Sequence, residues 1–303
     1  MMSLPERVTI KEVGPRDGLQ NEKEEIKTDD KIEWINQLSE TGLSYIEITS
    51  FVHPKWIPQL KDAVEVAKGI KRKEGITYAA LVPNMKGLER AIEANVDEVS
   101  IFMSASESHN KKNINKTIDE TYPVLREVVE EAKQEGKSVR GYVSTVFGCP
   151  YDGKVDEQQV INVCKNLFDM GIDELSLGDT IGVANPIQVG KFLDLIGTEF
   201  TKDQIALHFH DTRGMALANT LVSLEKGYYI FDGALGGLGG CPYAKGASGN
   251  VATDDLVHML HEMGIQTGVD LDQLLQAGQL IQGKIEKSLP SKQMNICRQT
   301  SMI

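Results

Sequence analysis

Two histidines separated by one residue, in the run Ala206-Leu207-His208-Phe209-His210-Asp211-Thr212, have types and spacing that could do chemistry. Side chains two apart on a β-strand point to the same side. The imidazoles of His208 and His210 can therefore converge on one point while Leu207 and Phe209 pack behind them. Coordination of a metal ion is the chemistry this suits. The pattern is short, and it equally describes two ordinary histidines of a half-buried strand. Its meaning rests on whether further ligands reach the same place.

Other candidates lie far away in the chain. Arg16 and Asp17 sit in the loop Gly14-Pro15-Arg16-Asp17-Gly18, Glu47 sits two residues before Thr49, and Asn250 follows Gly249. Each has a plainer reading. Asp17 and Asn250 suit turns, Glu47 suits a satisfied interior polar group, and Arg16 beside Asp17 suits a structural ion pair. The loop Gly236-Gly237-Leu238-Gly239-Gly240-Cys241-Pro242-Tyr243 places four glycines around a leucine and carries a thiol at its far end. Such a backbone can approach a ligand closely or serve as a lid that excludes water, and it also suits a merely flexible or phosphate-cradling loop.

The elements that must position these residues repeat one unit: a short apolar or β-branched run, a loop, then an amphipathic helical stretch. Strands are predicted at Thr9–Val13, Tyr45–Thr49, Thr77–Val82, Glu98–Met103, Val139–Thr145, Glu174–Gly178, Gln204–Asp211 and Tyr229–Ala234. Helices are predicted at about Asp29–Glu40, Leu60–Arg72, Leu88–Ala94, Ile118–Glu135, Glu157–Met170, Ile187–Glu199, Ala216–Lys226 and Asp254–Met263. Eight strand-then-helix units predict a (β/α)₈ TIM barrel over about residues 8–265. A C-terminal helical extension, about 266–303, carries a helix near Leu271–Ser288, and the whole chain reads as one domain. A doubly wound open sheet competes, but no G-x-G-x-x-G follows the first strand.

In such barrels chemistry sits at the C-terminal ends of the strands. That rule brings Asp17, His208, His210 and Asn250 to one face from three places in sequence. An all-oxygen-and-nitrogen set without thiolate suits a divalent ion, Mg²⁺ or Mn²⁺ before structural zinc, while the imidazoles keep zinc and cobalt in play. Lys137 and Arg140 fall at the opposite end of strand five, a position that reads as stability. Asn110-Lys111-Lys112-Asn113, after strand four, is a basic stretch on the catalytic side, suited to an anionic substrate tail or simply to solvent.

Composition narrows the function classes. With 32 basic against 44 acidic residues the formal charge is −12, and no long basic run offers a nucleic-acid surface. Cys149, Cys164, Cys241 and Cys297 form no Cys-x-x-Cys pair, so free thiols in a reducing cytoplasm are expected. Residues 1–7 show neither a signal nor a transit pattern, and no apolar run reaches the roughly 20 residues of a membrane helix.

Taken together, Gly14-Pro15-Arg16-Asp17-Gly18-Leu19-Gln20, Ser144 to Lys154, Gly178-Asp179-Thr180-Ile181-Gly182, His208-Phe209-His210-Asp211-Thr212 and Gly-Leu-Gly-Gly-Cys-Pro-Tyr-Ala at 237–244 resemble the 3-hydroxy-3-methylglutaryl-CoA lyases. The first and fourth motifs are shared with a wider group of metal-dependent barrel lyases and acyl-CoA condensing enzymes, while the last is more specific to the lyases. The resemblance implies Asp17, His208, His210 and Asn250 as ligands, Arg16 as the group stabilising a developing enolate, Cys241 as a catalytic thiol and Glu47 as a support near the cation. Gln20, Lys111, Lys112, Asn113 and Asp179 stand as substrate-binding candidates. An acyl-CoA substrate, a homodimer, and neither nucleic-acid nor membrane partners complete the expectation. A condensing enzyme of the isopropylmalate or homocitrate synthase kind and a lyase for a related 3-hydroxyacyl-CoA are the competing activities, and a metal-binding barrel without turnover is the competing class. The short C-terminus and the Cys241 loop favour the lyase.

Overall fold

The computed structural model describes residues 4–240, 249–285 and 287–300. Eight parallel strands close on themselves in sequential order: β1 (Thr9–Glu12), β2 (Tyr45–Ser50), β3 (Thr77–Leu81), β4 (Glu98–Ser104), β5 (Ser138–Ser144), β6 (Glu174–Asp179), β7 (Ile205–Phe209) and β8 (Ile230–Gly233). Closure is made by β1 against β8, from Thr9 opposite Ile230 to Glu12 opposite Gly233. The predicted TIM barrel is thus the observed fold.

Helices α1 (Thr28–Leu38), α2 (Ala63–Gly69) and α3 (Met85–Glu93) cover the first three strands. After β4 come α4 (Glu107–Ile114) and α5 (Ile118–Gln134). The ring is completed by α6 (Glu157–Phe168), α7 (Pro186–Ile196), α8 (Ala216–Glu225) and α9 (Thr253–Glu262). Local sequence explains several starts. Asn84, Ser106, Thr117, Asp156 and Asn185 each accept a backbone N–H of the first helical turn, and Pro186 occupies the first position of α7, where its missing donor costs nothing. Trp34, Leu38, Phe192 and Leu260 are among the apolar side chains fully buried in the core.

Two segments differ from the sequence expectation. The extension holds two helices, α10 (Leu271–Gln282) and α11 (Lys292–Thr300), because Gly283 weakens helix propagation and Pro290 cannot continue one. The basic stretch after β4 is helical: Ser106 caps α4, so 110–113 lie on a helix rather than in an open loop.

The barrel interior is unusually polar. Lys11 on β1 bonds Glu174 on β6 at 2.7 Å, Arg140 on β5 bonds Asp232 on β8 at 2.6 Å, and Tyr142 on β5 bonds Glu47 on β2 at 3.1 Å. None of these strand pairs are neighbours, so the contacts cross the lumen. A lumen usually filled by Val, Ile and Leu instead holds a connected set of charges beneath the catalytic face.

Candidate active site and metal centre

Five residues after the start of β1 the chain makes a single π-type turn, Gly14–Gly18, in which Leu19 N–H reaches back to Gly14 O at 3.0 Å. Such turns widen the helix and re-aim side chains, often at functional sites. Here the turn presents Arg16 and Asp17 to the barrel mouth. Asp17 Oδ1 accepts from Arg16 Nη1 at 2.6 Å and from Gln20 Nε2 at 2.7 Å, and its Oδ2 accepts from Asn250 Nδ2 at 2.7 Å.

Arg16 is held from the other side by Glu47, whose Oε2 accepts from Nε at 2.5 Å. A register shift in β2 between Glu47 and Thr49 re-aims this stretch. Glu47 is fully buried, and its Oε1 has no hydrogen-bond partner among the described residues. Burial alone would lower the Arg16 pKa, but the carboxylates of Glu47 and Asp17 outweigh it and raise it, so the guanidinium stays charged. Its Nη2 makes no hydrogen bond among the described residues.

His208 and His210 reach the mouth at the end of β7, with Nε2 atoms 3.2 Å apart. Asp17 Oδ2 is 3.9 Å from His208 Nε2, and one donor atom from each of Asp17, His208 and His210 lies within 4.8 Å of the others. Burial, reinforced by His208, lowers the His210 pKa to about 4, so its imidazole is neutral and keeps a lone pair near pH 7. Burial would raise the Asp17 pKa, but Arg16 and the two imidazoles lower it.

Asn250 arrives by main-chain pairing. Residue 250 bridges to His210, Val251 N–H donates to Phe209 O at 2.9 Å, and Asp211 N–H donates to Gly249 O at 3.1 Å. The amide nitrogen of Asn250 donates to Asp17 and to Leu238 O, both acceptors, which fixes the orientation of the group; its Oδ1 is buried without a partner among the described residues.

The donor set fits a cation. Ligands held at about 2.1 Å from one ion stand about 3 Å from one another, close to the histidine spacing. Two lone pairs facing at that distance repel unless a proton or cation lies between them. Asn250, whose buried Oδ1 has no partner among the described residues, is bridged to His210 beside this cluster.

A cavity of about 620 Å³ opens from this cluster, lined by Arg16, Asp17, Gln20, His208 and His210 at one end. Val52, Leu81, Phe102, Val124 and Leu125 form an apolar stretch of its wall, and Asn113 and Lys116 lie along it. Gln20 and Asn113 therefore face the cavity. Lys111 and Lys112 do not line it, and Lys111 pairs with Glu107 on the exposed side of α4. Asn110 is buried as a clamp, accepting from Ser104 N–H and donating to Lys116 O, Thr117 O and Thr121. Asp179 is spent on its own loop, its oxygens accepting Val183 N–H at 2.9 Å and Ala184 N–H at 3.1 Å; burial pushes its pKa up to about 6. Cys241 lies outside the described residues.

Sequence reasoning missed Lys116, Tyr142 and Asp232. Lys116 sits in the same polar run as Lys112, with no pattern to prefer it. Tyr142 and Asp232 become visible only through cross-lumen contacts. Arg140, read from position as a stability residue, is bonded to Asp232, and Asp232 in turn contacts His208 at 3.0 Å. Burial would raise the Asp232 pKa, but Arg140 and His208 hold it well below the usual carboxylate range.

Comparison with known proteins agrees with the fold. The hydroxymethylglutaryl-CoA lyase YngG of Bacillus subtilis is 59% identical over 97% of this chain and 99% of its own. The crystal structure of the Bacillus subtilis HMG-CoA lyase superposes with a TM-score of 0.96 at 59% identity, covering 97% of this chain and 99% of that one. An HMG-CoA lyase from Acinetobacter baumannii in complex with coenzyme A and 3-methylmalate superposes with a TM-score of 0.93 at 44% identity, over 97% of this chain and 96% of that one. The HMGL-like family matches residues 7–281, a span that contains the barrel, the Arg16–Asp17 turn, both histidines and Asn250, and the chain belongs to that family.

Proposed function

We propose that the chain is a divalent-metal-dependent lyase that cleaves 3-hydroxy-3-methylglutaryl-CoA to acetyl-CoA and acetoacetate. The observation that carries this reading is the guanidinium of Arg16, fixed by Glu47 and Asp17 beside the Asp17–His208–His210 donor cluster at one end of the cavity. The name and high identity of the Bacillus subtilis relative favour the lyase over a condensing enzyme.

Asp17, His208, His210 and Asn250 would hold the ion, with Mg²⁺ or Mn²⁺ suiting the oxygen-rich set. When bound, it supplies Lewis acidity to the substrate's 3-hydroxyl and carboxylate oxygens. Loss of the hydroxyl proton drives cleavage of the C2–C3 bond, leaving acetoacetate and the enolate of acetyl-CoA. Arg16 donates to the thioester oxygen, where the enolate charge grows, from a position fixed before reaction. Glu47 keeps that guanidinium from turning towards solvent. The enolate carbon then takes a proton, for which Cys241 is the assigned donor, following the resemblance. Gln20 orients Asp17, and Asn113 with Lys116 borders the path of the CoA arm.

The test is direct. Chelator-treated protein given Mg²⁺ or Mn²⁺ and 3-hydroxy-3-methylglutaryl-CoA should release acetoacetate; condensation of acetyl-CoA with a 2-oxo acid in its place would overturn the proposal. A substrate panel belongs in the same experiment. A Pseudomonas aeruginosa relative, 49% identical over 96% of this chain and 97% of its own, is named a 3-hydroxy-3-isohexenylglutaryl-CoA/hydroxy-methylglutaryl-CoA lyase. The apolar stretch of cavity wall favours including larger C3 substituents. A cytoplasmic homodimer completes the reading, checked by fractionation and sedimentation; among the described residues no helix is long and apolar enough to cross a membrane.

A further inference from the structure

Beneath the donor cluster lies a carboxylate to which neither the resemblance nor the reaction gives a role. Asp232, on β8, is almost fully buried, at 1% exposure. Its Oδ1 accepts from Arg140 Nη2 at 2.6 Å, and its Oδ2 accepts from Ser176 Oγ at 2.8 Å. The same Oδ2 lies 3.0 Å from Nδ1 of His208.

The direction of that last bond follows from chemistry. An ionised carboxylate is only an acceptor, and the Arg140 guanidinium in contact with Asp232 keeps it ionised. Nδ1 of His208 must therefore carry the proton. In the neutral ring the lone pair is then left on Nε2, the atom that faces His210 Nε2 and Asp17. Metal-binding histidines are commonly oriented in this way by a carboxylate on the second nitrogen.

Resting on the metal-site reading above, we propose that Asp232 is a positioning residue that locks the tautomer and ring orientation of His208, so that Nε2 is presented to the cation before the cation arrives. Arg140 is the fixed counter-charge that keeps Asp232 an acceptor. Arg140 also bonds Glu174 at 2.6 Å and Tyr142 at 2.8 Å, so it retains partners when the Asp232 charge is removed. Asp232→Asn should accordingly fold, while its amide can donate to Nδ1 and turn the bare nitrogen away from the ion.

The experiment titrates Mn²⁺ into the chelator-treated whole chain, without substrate, and follows free Mn²⁺ by electron paramagnetic resonance. Asp232→Asn should bind about 10–100-fold more weakly than wild type with an unchanged circular dichroism spectrum. Equal affinity in the two proteins overturns the positioning role and leaves the metal site standing. Failure of the wild type to bind Mn²⁺ overturns the site itself, and this inference with it. A second measurement is independent of how the variant folds. In ¹⁵N-histidine spectra of the chelator-treated, metal-free wild type, the His208 signal, assigned by its loss in His208→Gln, should show a proton on Nδ1. A proton on Nε2 with a bare Nδ1 sinks the proposal.

Discussion

Asn250 is joined to His210 through the main chain, by an antiparallel bridge flanked by the Val251 N–H to Phe209 O bond. Its side chain can be changed without moving the backbone that delivers it. Asn250→Ala should weaken Mn²⁺ binding about 10-fold or more and leave the circular dichroism spectrum unaltered. An unchanged dissociation constant would remove Asn250 from the ligand set.

Arg16 divides its guanidinium between Glu47 and Asp17 while leaving one nitrogen for substrate. Lysine carries the charge but not the planar fork. Arg16→Lys should lower kcat by about 10²–10³-fold, the scale of losing a fixed donor to a developing oxyanion, with metal affinity little altered. Steady-state kinetics beside a Mn²⁺ titration separates the two effects, and a kcat within a few-fold of wild type would rule out the assigned role.

Glu12 accepts from Gly14 N–H, Leu235 N–H and the Thr253 hydroxyl, and burial raises its pKa from 4.5 to about 7. Between those values the folded protein holds a proton that the unfolded chain has released. This contribution to stability is greatest at low pH and is lost as pH rises through about 4.5 to 7, amounting to up to about 3 kcal/mol. Glu12→Gln mimics the protonated form and should lack this loss. Urea unfolding at pH 5 and pH 8 makes the comparison, and parallel losses in both proteins would acquit Glu12.

Gly249 precedes Asn250 where the chain runs close to the root of the glycine loop. A Cβ there would lie 2.5 Å from Leu238 O and 2.6 Å from the carbonyl carbon of Gly239, backbone atoms that cannot swing aside. Gly249→Ala should destabilise the protein by about 1–3 kcal/mol and weaken metal binding through displacement of Asn250. Thermal unfolding that matches wild type would contradict this account.

The eightfold strand–helix alternation was legible because each unit carries its own periodicity and turn chemistry, and placing Asp17, His208, His210 and Asn250 at one mouth needed only the barrel's polarity. The rest depends on which side chains meet across the lumen. Nothing local marks Asp232 as the partner of His208, because His208 and Asp232 stand on different strands and Arg140, which links Asp232 to Tyr142, stands on a third. At α4 the sequence shows adjacent lysines but not the helix face they take: Lys111 turns outward to Glu107 while Asn110 is buried. Asp179 stands within a shared motif, yet its carboxylate shapes its own loop.

In the proposed metal site the donor atoms come from the end of β7, from the turn after β1 and from the segment following β8, three neighbours at the joint where the first strand meets the last. A bound cation would act as a stitch across that seam. At a hundredfold excess over its dissociation constant it would add about 2.7 kcal/mol to the folded state, so starvation for the ion would deplete the protein itself, not merely idle it.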